Sequence, residues 1–212
     1  KEPKKHEINQ MDFPKESILG ILKNPVFSSL FIIILVSSFG LQAFESIYSI
    51  MATINFGFTT NDIALVITIS GSLALICQVF LFDWIVSKLG EMRLIQLTFF
   101  VSATFIAVIA FTTSHLVVVL STFVVFLSFD LFRPAVTTYL SKNGGNQQGA
   151  INGLNSTFTS FGNILGPLAA GSLFDLNHFY PYYVSAMILL GTGFLSLFLT
   201  NMTSKKLLLK KS

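Results

Sequence analysis

Asp130 is a carboxylic acid in an apolar setting, and a carboxyl held away from water can carry a proton. It follows a stretch, Leu94 to Phe129, that holds no Asp, Glu, Lys or Arg and one histidine, His115. A turn is expected at Thr113–His115, which leaves fourteen residues, Leu116 to Phe129, between that turn and the acid. As a helix they cover roughly 21 Å at about 1.5 Å each. A bilayer core is about 30 Å thick, so the carboxyl is expected inside it. Acids in such places are expensive to keep and mark ion or proton paths by default. Arg133 lies three residues on, on the same helix face. Two readings stay open: an intrahelical ion pair whose Arg snorkels to the inner headgroups, and a proton site tuned by that Arg. Pro134 follows and is expected to weaken the helix beside the acid.

Glu45 is the second acid of interest. Twenty-one uncharged residues, Asn24 to Phe44, precede it, enough for a full span. Either it reaches the outer headgroups, or it sits in the outer half of a helix whose apolar character continues to Met51. Further along, Asn152, Asn155, Ser156, Thr159 and Asn163 recur at helical spacing and form one polar stripe. In lipid such a stripe must face protein or a wet cavity. Gly162 and Gly166 form a GxxxG pair suited to close helix packing, while the asparagines fit a cavity wall or helix–helix hydrogen bonds. Aromatic rings adjoin both acids: Phe44 and Tyr48 beside Glu45, Phe126 and Phe129 before Asp130. Their π-faces with carboxylates would suit flat, apolar cations; for any single Phe, packing or lipid contact is the rival role.

Other chemistries lack their residues. No phosphate-cradling Gly-rich loop with Lys, no HExxH and no GxSxG occurs in the sequence. His6, His115 and His178 lie at or beyond span ends, and Cys77 is the only cysteine. No transition-metal cluster, cofactor, enzyme activity or nucleic-acid partner is expected. With no ATP site, transport would draw on an ion gradient or on a partner domain outside this sequence.

The elements that must position these residues are membrane helices. Mean hydropathy is +0.72. Charged residues make up 11% of the chain, against about 25% for a soluble domain. Apolar runs of spanning length occur six times, at about 25–51, 62–84, 92–113, 116–140, 149–174 and 180–203. All thirteen Lys and Arg fall on one side: five before the first span, Lys88 and Arg93 after the second, Arg133 and Lys142 near the end of the fourth, four in the tail. A multi-pass protein of the cell membrane with both ends cytoplasmic follows. Trp84 and Tyr139 are expected in the inner aromatic belt, and Tyr180, Tyr182 and Tyr183 in the outer one. Residues 1–24 read as a solvated linker inside a longer chain, 25–203 as the bundle and 204–212 as a basic tail. Phe82-Asp83 and Phe174-Asp175 end the second and fifth spans on opposite sides, with Gly71 and Gly162 upstream. That faint symmetry suggests two inverted three-helix repeats, a transporter pattern.

Several stretches carry a family resemblance. They are Ser38-Phe39-Gly40-Leu41-Gln42-Ala43-Phe44-Glu45, Phe129-Asp130-Leu131-Phe132-Arg133-Pro134-Ala135 and Gly153-Leu154-Asn155-Ser156-Thr157-Phe158-Thr159-Ser160, continued by Gly166-Pro167 and Gly171-Ser172-Leu173-Phe174-Asp175. Over about residues 25–200 the sequence resembles drug/proton antiporters of the NorA/Bmr multidrug efflux type, within the major facilitator superfamily. The resemblance implies an all-α polytopic fold. It implies that this chain is the C-terminal six-helix half of twelve helices, with an N-terminal six-helix half as partner. It implies proton-driven efflux of hydrophobic, often cationic drugs, with Asp130, Glu45 and Arg133 in proton coupling. Phe44, Tyr48, Phe126, Phe129, Asn155 and Asn163 would bind substrate. One departure is clear. The superfamily's inner-loop motif appears only as Asp83…Lys88-Leu89-Gly90-Glu91-Met92-Arg93, with stretched spacing and Glu91 in place of a base. The rival functions are a non-transporting membrane scaffold or partner subunit, in which Asp130 and Arg133 are structural, and an uncoupled facilitator.

Overall fold

The computed structural model describes residues 15–144 and 147–209 of the chain. Among them there are helices and short connections and no strand. The helices are α1 (Lys15–Lys23), α2 (Pro25–Phe56), α3 (Thr60–Ile76), α4 (Phe82–Leu89), α5 (Glu91–Phe111), α6 (His115–Asn143), α7 (Gln148–Leu176) and α8 (Tyr180–Leu209). A π-helical turn, Cys77–Leu81, joins α3 to α4 without a break. Helix is the expected solution for apolar chain in lipid, because it satisfies every backbone N–H and C=O within the segment.

Among the described residues, five helices are long and apolar enough to cross a membrane: Phe27–Phe56, Thr60–Leu89, Glu91–Phe111, His115–Asn143 and Tyr180–Phe198. Helix α7 is as long as α6, at 29 residues. Its amide and hydroxyl stripe keeps it out of that apolar set. Helix α1 lies within the stretch read from sequence as linker. Its Ile21 is buried, and α1 packs on α2.

Local sequence sets the turns. Gly57 and Gly90 have φ of +66° and +79°, a region that glycine enters without strain. Thr59 caps α3 in a capping box: its side chain accepts from the Asp62 N–H, and Asp62 accepts from the Thr59 N–H at 2.9 Å. His115, at the start of α6, stacks on Phe58 and its Nε2 meets the Phe56 carbonyl at the end of α2. Helices α6 and α7 continue as α-helix through Pro134 and Pro167. The expected weak point at Pro134 therefore shows no interruption; the departure from α geometry lies instead at Cys77–Leu81, which holds no proline. A π turn accommodates one extra residue in a helix and is frequent at functional sites.

The helices pack as two sets of three. Helix α2 lies along α7 and against α8; α6 lies against α5 and α3; α5 packs on α8 and joins the sets. Across that joint the buried Gln96 donates to the Thr200 hydroxyl at 2.9 Å and the Ser196 carbonyl at 3.3 Å. The α2–α7 contact is the closest. A Cβ on Gly162 would lie 2.7 Å from Ser38 Cβ and 2.8 Å from the Leu35 carbonyl oxygen, and one on Gly166 would lie 2.7 Å from the Phe39 carbonyl oxygen. Glycine at both positions lets the two backbones touch, so the GxxxG pair is a packing device.

Candidate functional site

Asp130 lies midway along α6, about fifteen residues from either end, so roughly 20 Å of helix separates it from each. Its carboxyl is half-buried. Phe126, one turn back, shares its side of the helix, and Phe129 immediately precedes it. Glu45 projects from α2 toward this face, and its Oε2 lies 3.7 Å from an Arg133 guanidinium nitrogen. The arginine therefore makes its close ion pair across helices with Glu45, rather than along α6 with Asp130. Both members keep much of their surface open, 60% for Arg133 and 42% for Glu45. The pair is a weak lock by itself, since accessible ion pairs contribute about 0–1 kcal/mol.

These groups line one cleft of about 180 Å³ between α2, α3 and α6. Its walls are Glu45, Tyr48, Ser49, Phe126, Phe129, Asp130 and Arg133, closed on the α3 side by Ile67, Ser70 and Gly71. Two acids, one base and three aromatic rings thus meet at one place. Phe44 stands behind that wall. It is fully buried and contacts Tyr48, Phe126, Phe129 and Tyr182, with ring centroids 5.0–6.2 Å apart. Edge-on contacts of this kind fix ring orientation. Tyr182 departs from expectation: it is buried in this ring cluster, and only Tyr180 and Tyr183 keep partial exposure at that helix end.

Asn155 and Asn163 are elsewhere. They line a second cleft of about 340 Å³ between α2, α6 and α7, together with Ser38, Thr137, Ser156, Thr159 and Ser160. Arg133 borders both clefts. Asn152 is not among the residues that line this cleft, and its buried Oδ1 has no hydrogen-bond partner among the described residues.

Sequence reasoning did not place Ser49, Ile67, Ser70 or Gly71 in a site, and Gly71 stood out there only for the repeat symmetry. All are small or apolar, and nothing in their spacing separates them from ordinary helix surface. At the other end of the bundle, Glu91 at the start of α5 pairs with Lys142 near the end of α6. The residue that departs from the inner-loop motif thus ties two helices together. Asp83 and Arg93 are both exposed there. Among the described residues no cluster of His, Cys, Asp and Glu could hold a metal ion.

The sequence profile of the Major Facilitator Superfamily matches residues 3–211, nearly the whole chain. The chain belongs to this superfamily. Major facilitators are transporters rather than enzymes, and with its apolar helices this one is a multi-pass membrane protein. Three relatives share most of its length. Multidrug resistance protein 2 of Bacillus subtilis is 47% identical over 167 residues, covering 79% of this chain and 42% of the relative. Multidrug resistance protein 1 of the same organism is 41% identical over 189 residues, covering 89% and 49%. Quinolone resistance protein NorA of Staphylococcus aureus is 36% identical over 184 residues, covering 87% and 47%. The chain spans about half the length of these curated relatives. The resemblance read from Glu45, the Asp130 segment and the α7 block is therefore to genuine relatives, and the all-α membrane fold expected from sequence is the fold present.

Proposed function

We propose that this chain is the C-terminal six-helix half of a proton-coupled exporter of hydrophobic, often cationic drugs. Helix α7 is its sixth span, and both ends of the segment face the cytoplasm. A second six-helix half would complete the cavity. The observation that carries the reading is the cleft itself: Asp130, midway along α6, and Glu45 beside Tyr48, Phe126 and Phe129. The names of three relatives as drug-resistance proteins support it.

The chemistry follows from the lining. A flat cation slides against the aromatic faces and presents its charge to the carboxylates. Protons arriving from outside neutralise those carboxylates and remove the cation's partners, so it leaves outward. The protons then pass inward as the two halves rock about the midplane site. Arg133 offers Glu45 an alternative partner when the cation is gone, at 3.7 Å in the present state.

Dye efflux driven by a pH gradient in vesicles carrying the full-length protein tests this. Asp130→Asn should bring efflux down to the rate of protein-free vesicles, and Asp130→Glu should retain part of it. Wild-type efflux in Asp130→Asn would end the proton-carrier role.

A further inference from the structure

Two walls of the acidic cleft carry its carboxyls, α2 with Glu45 and α6 with Asp130. At the level of the acids these walls are linked by the Glu45–Arg133 pair. A second link lies at their outer ends. Phe56, the last residue of α2, is eleven residues past Glu45, and His115, the first of α6, is fifteen before Asp130. As helix those stretches are roughly 16 and 22 Å, at about 1.5 Å per residue. There the His115 Nε2–H donates to the Phe56 carbonyl. The ring is held on its faces too: it stacks on Phe58 at 5.7 Å and meets Phe56 edge-on at 6.4 Å. That carbonyl is one of the four that a helix end leaves without an internal partner. The turn after it is closed by bonds of its own, from the Gly57 N–H to Thr53 at 3.0 Å and from the Phe58 N–H to Ala52 at 3.1 Å. Outward of the two acids, α2 and α6 hold no other charged residue, and Tyr48 is the other titratable one. At the same end α3 brings Asp62, whose carboxylate accepts from Thr59. Helix α5 brings none, α7 brings Asp175 with His178 just beyond it, and α8 brings Tyr180, Tyr182 and Tyr183.

We infer that His115 is a positioning residue for export: through the Phe56 carbonyl it straps the outer end of α2 to that of α6, more firmly when it carries a proton taken from outside. The inference rests on the export reading and orientation proposed above, and adds a control by external pH that is separate from the two carboxylates. Histidine changes charge between about pH 5 and 8. The neutral ring already donates through Nε2. Protonation keeps that donor, makes the bond charge-assisted and so roughly twice as strong, and sets a positive charge at the C-terminal end of α2, where the helix dipole favours one. The strap therefore tightens as external pH falls through the histidine range and relaxes as it rises. His115 is exposed, which keeps the gain small. A cation at an exposed helix end shifts such an equilibrium by about two- to fivefold. Acid outside then acts twice: it neutralises the carboxylates of the cleft, and it draws the ends of α2 and α6 together behind the departing drug.

Amide hydrogen exchange across the turn that follows α2, in the full-length protein in lipid nanodiscs, reads the strap without any transport. Rates are compared at about pH 5.5 and about pH 7.5, within the histidine range, each divided by the intrinsic exchange rate at that pH. Wild-type protection of Gly57 and Phe58 should be about two- to fivefold higher in acid. His115→Gln, which takes no proton, should show no such rise. Flat wild-type protection overturns the inference without any variant, and so does an equal rise in His115→Gln. Dye export from vesicles of fixed interior pH gives the functional readout. The ratio of export rates at the two external pH values should differ between His115→Gln and wild type by about the same factor. A merely structural histidine lowers both rates alike and leaves the ratio unchanged, which would also overturn the positioning role. Wild-type vesicles that export no dye at either pH would defeat the export reading, while the exchange result would still decide whether the strap exists.

Discussion

Glu45 and Arg133 show how one contact can matter for transport while contributing little to stability. Their atoms are 3.7 Å apart and both side chains remain open. Exposed pairs of that kind contribute about 0–1 kcal/mol. Glu45→Gln should therefore change the unfolding free energy of the full-length protein by less than about 1 kcal/mol, read by thermal or denaturant melts. The same substitution removes one of two carboxylates from the cleft and should weaken binding of a cationic dye by about tenfold, the loss expected for one charge-assisted contact. A large stability loss with unchanged dye affinity would make the Glu45–Arg133 pair structural. Phe44 is the opposite case. It is fully buried under three rings of α2 and α6 and one of α8. Phe44→Ala should cost about 3–5 kcal/mol and reduce membrane abundance. Weaker export in that variant would then trace to the fold and not to a lost substrate contact. Sequence alone put Phe44 and Phe126 in one list; depth in the packing separates them.

Helices α2 and α7 form the seam that holds the polar cleft open along one side. Their backbones meet where Gly162 and Gly166 face Leu35, Ser38 and Phe39. At Gly162 even a Cβ would fall 2.7 Å from Ser38 Cβ and 2.8 Å from a carbonyl oxygen, so relief requires the helices to part. Gly162→Val should cost about 1–3 kcal/mol or more, seen as a lower melting temperature of the full-length protein. Gly171→Val on the same helix, where a Cβ meets nothing within 4 Å, is the control and should be nearly neutral. An equal effect at both positions would show that glycine serves helix flexibility rather than close approach. The GxxxG spacing was legible in the sequence because it is a local pattern. The π turn was not. Cys77–Leu81 carries no proline or glycine; it lies between α3, which packs on α6, and α4, which contacts α5. Nothing in those five residue types marks it locally. For the same reason the acids of α2 and α6 were legible one by one, as charges in apolar runs, whereas the cross-helix pairing of Arg133 with Glu45 needed the fold.

At the scale of the molecule, charge and apolar surface describe a segment that sits in lipid, and the proposed second half would have to meet it. Leu65, Leu73, Leu75 and Phe80 on the second span are exposed, as are Phe161, Ile164, Leu165 and Leu168 on α7. These helices line different clefts that meet at Arg133, so a partner half seated over the two clefts would border both helices. Orientation is the part of the proposal that can be checked most directly. Lys and Arg are retained on the cytoplasmic side during insertion, and the turns at Gly57–Thr59, Thr112–Ser114 and Asn177–Phe179 carry none, whereas Lys88, Arg93 and Lys142 mark the opposite ends. In a full-length protein carrying Cys77→Ala, a cysteine at Ser114 should react with a membrane-impermeant maleimide added outside intact cells. A cysteine at Ser87 should react only after the membrane is opened. Both sites are exposed in the fold, so protection cannot be mistaken for burial. The reverse pattern would turn the segment over. Asp130 lies midway along α6, so its depth would hardly change, but the side from which its protons arrive would be exchanged, and with it the direction of export.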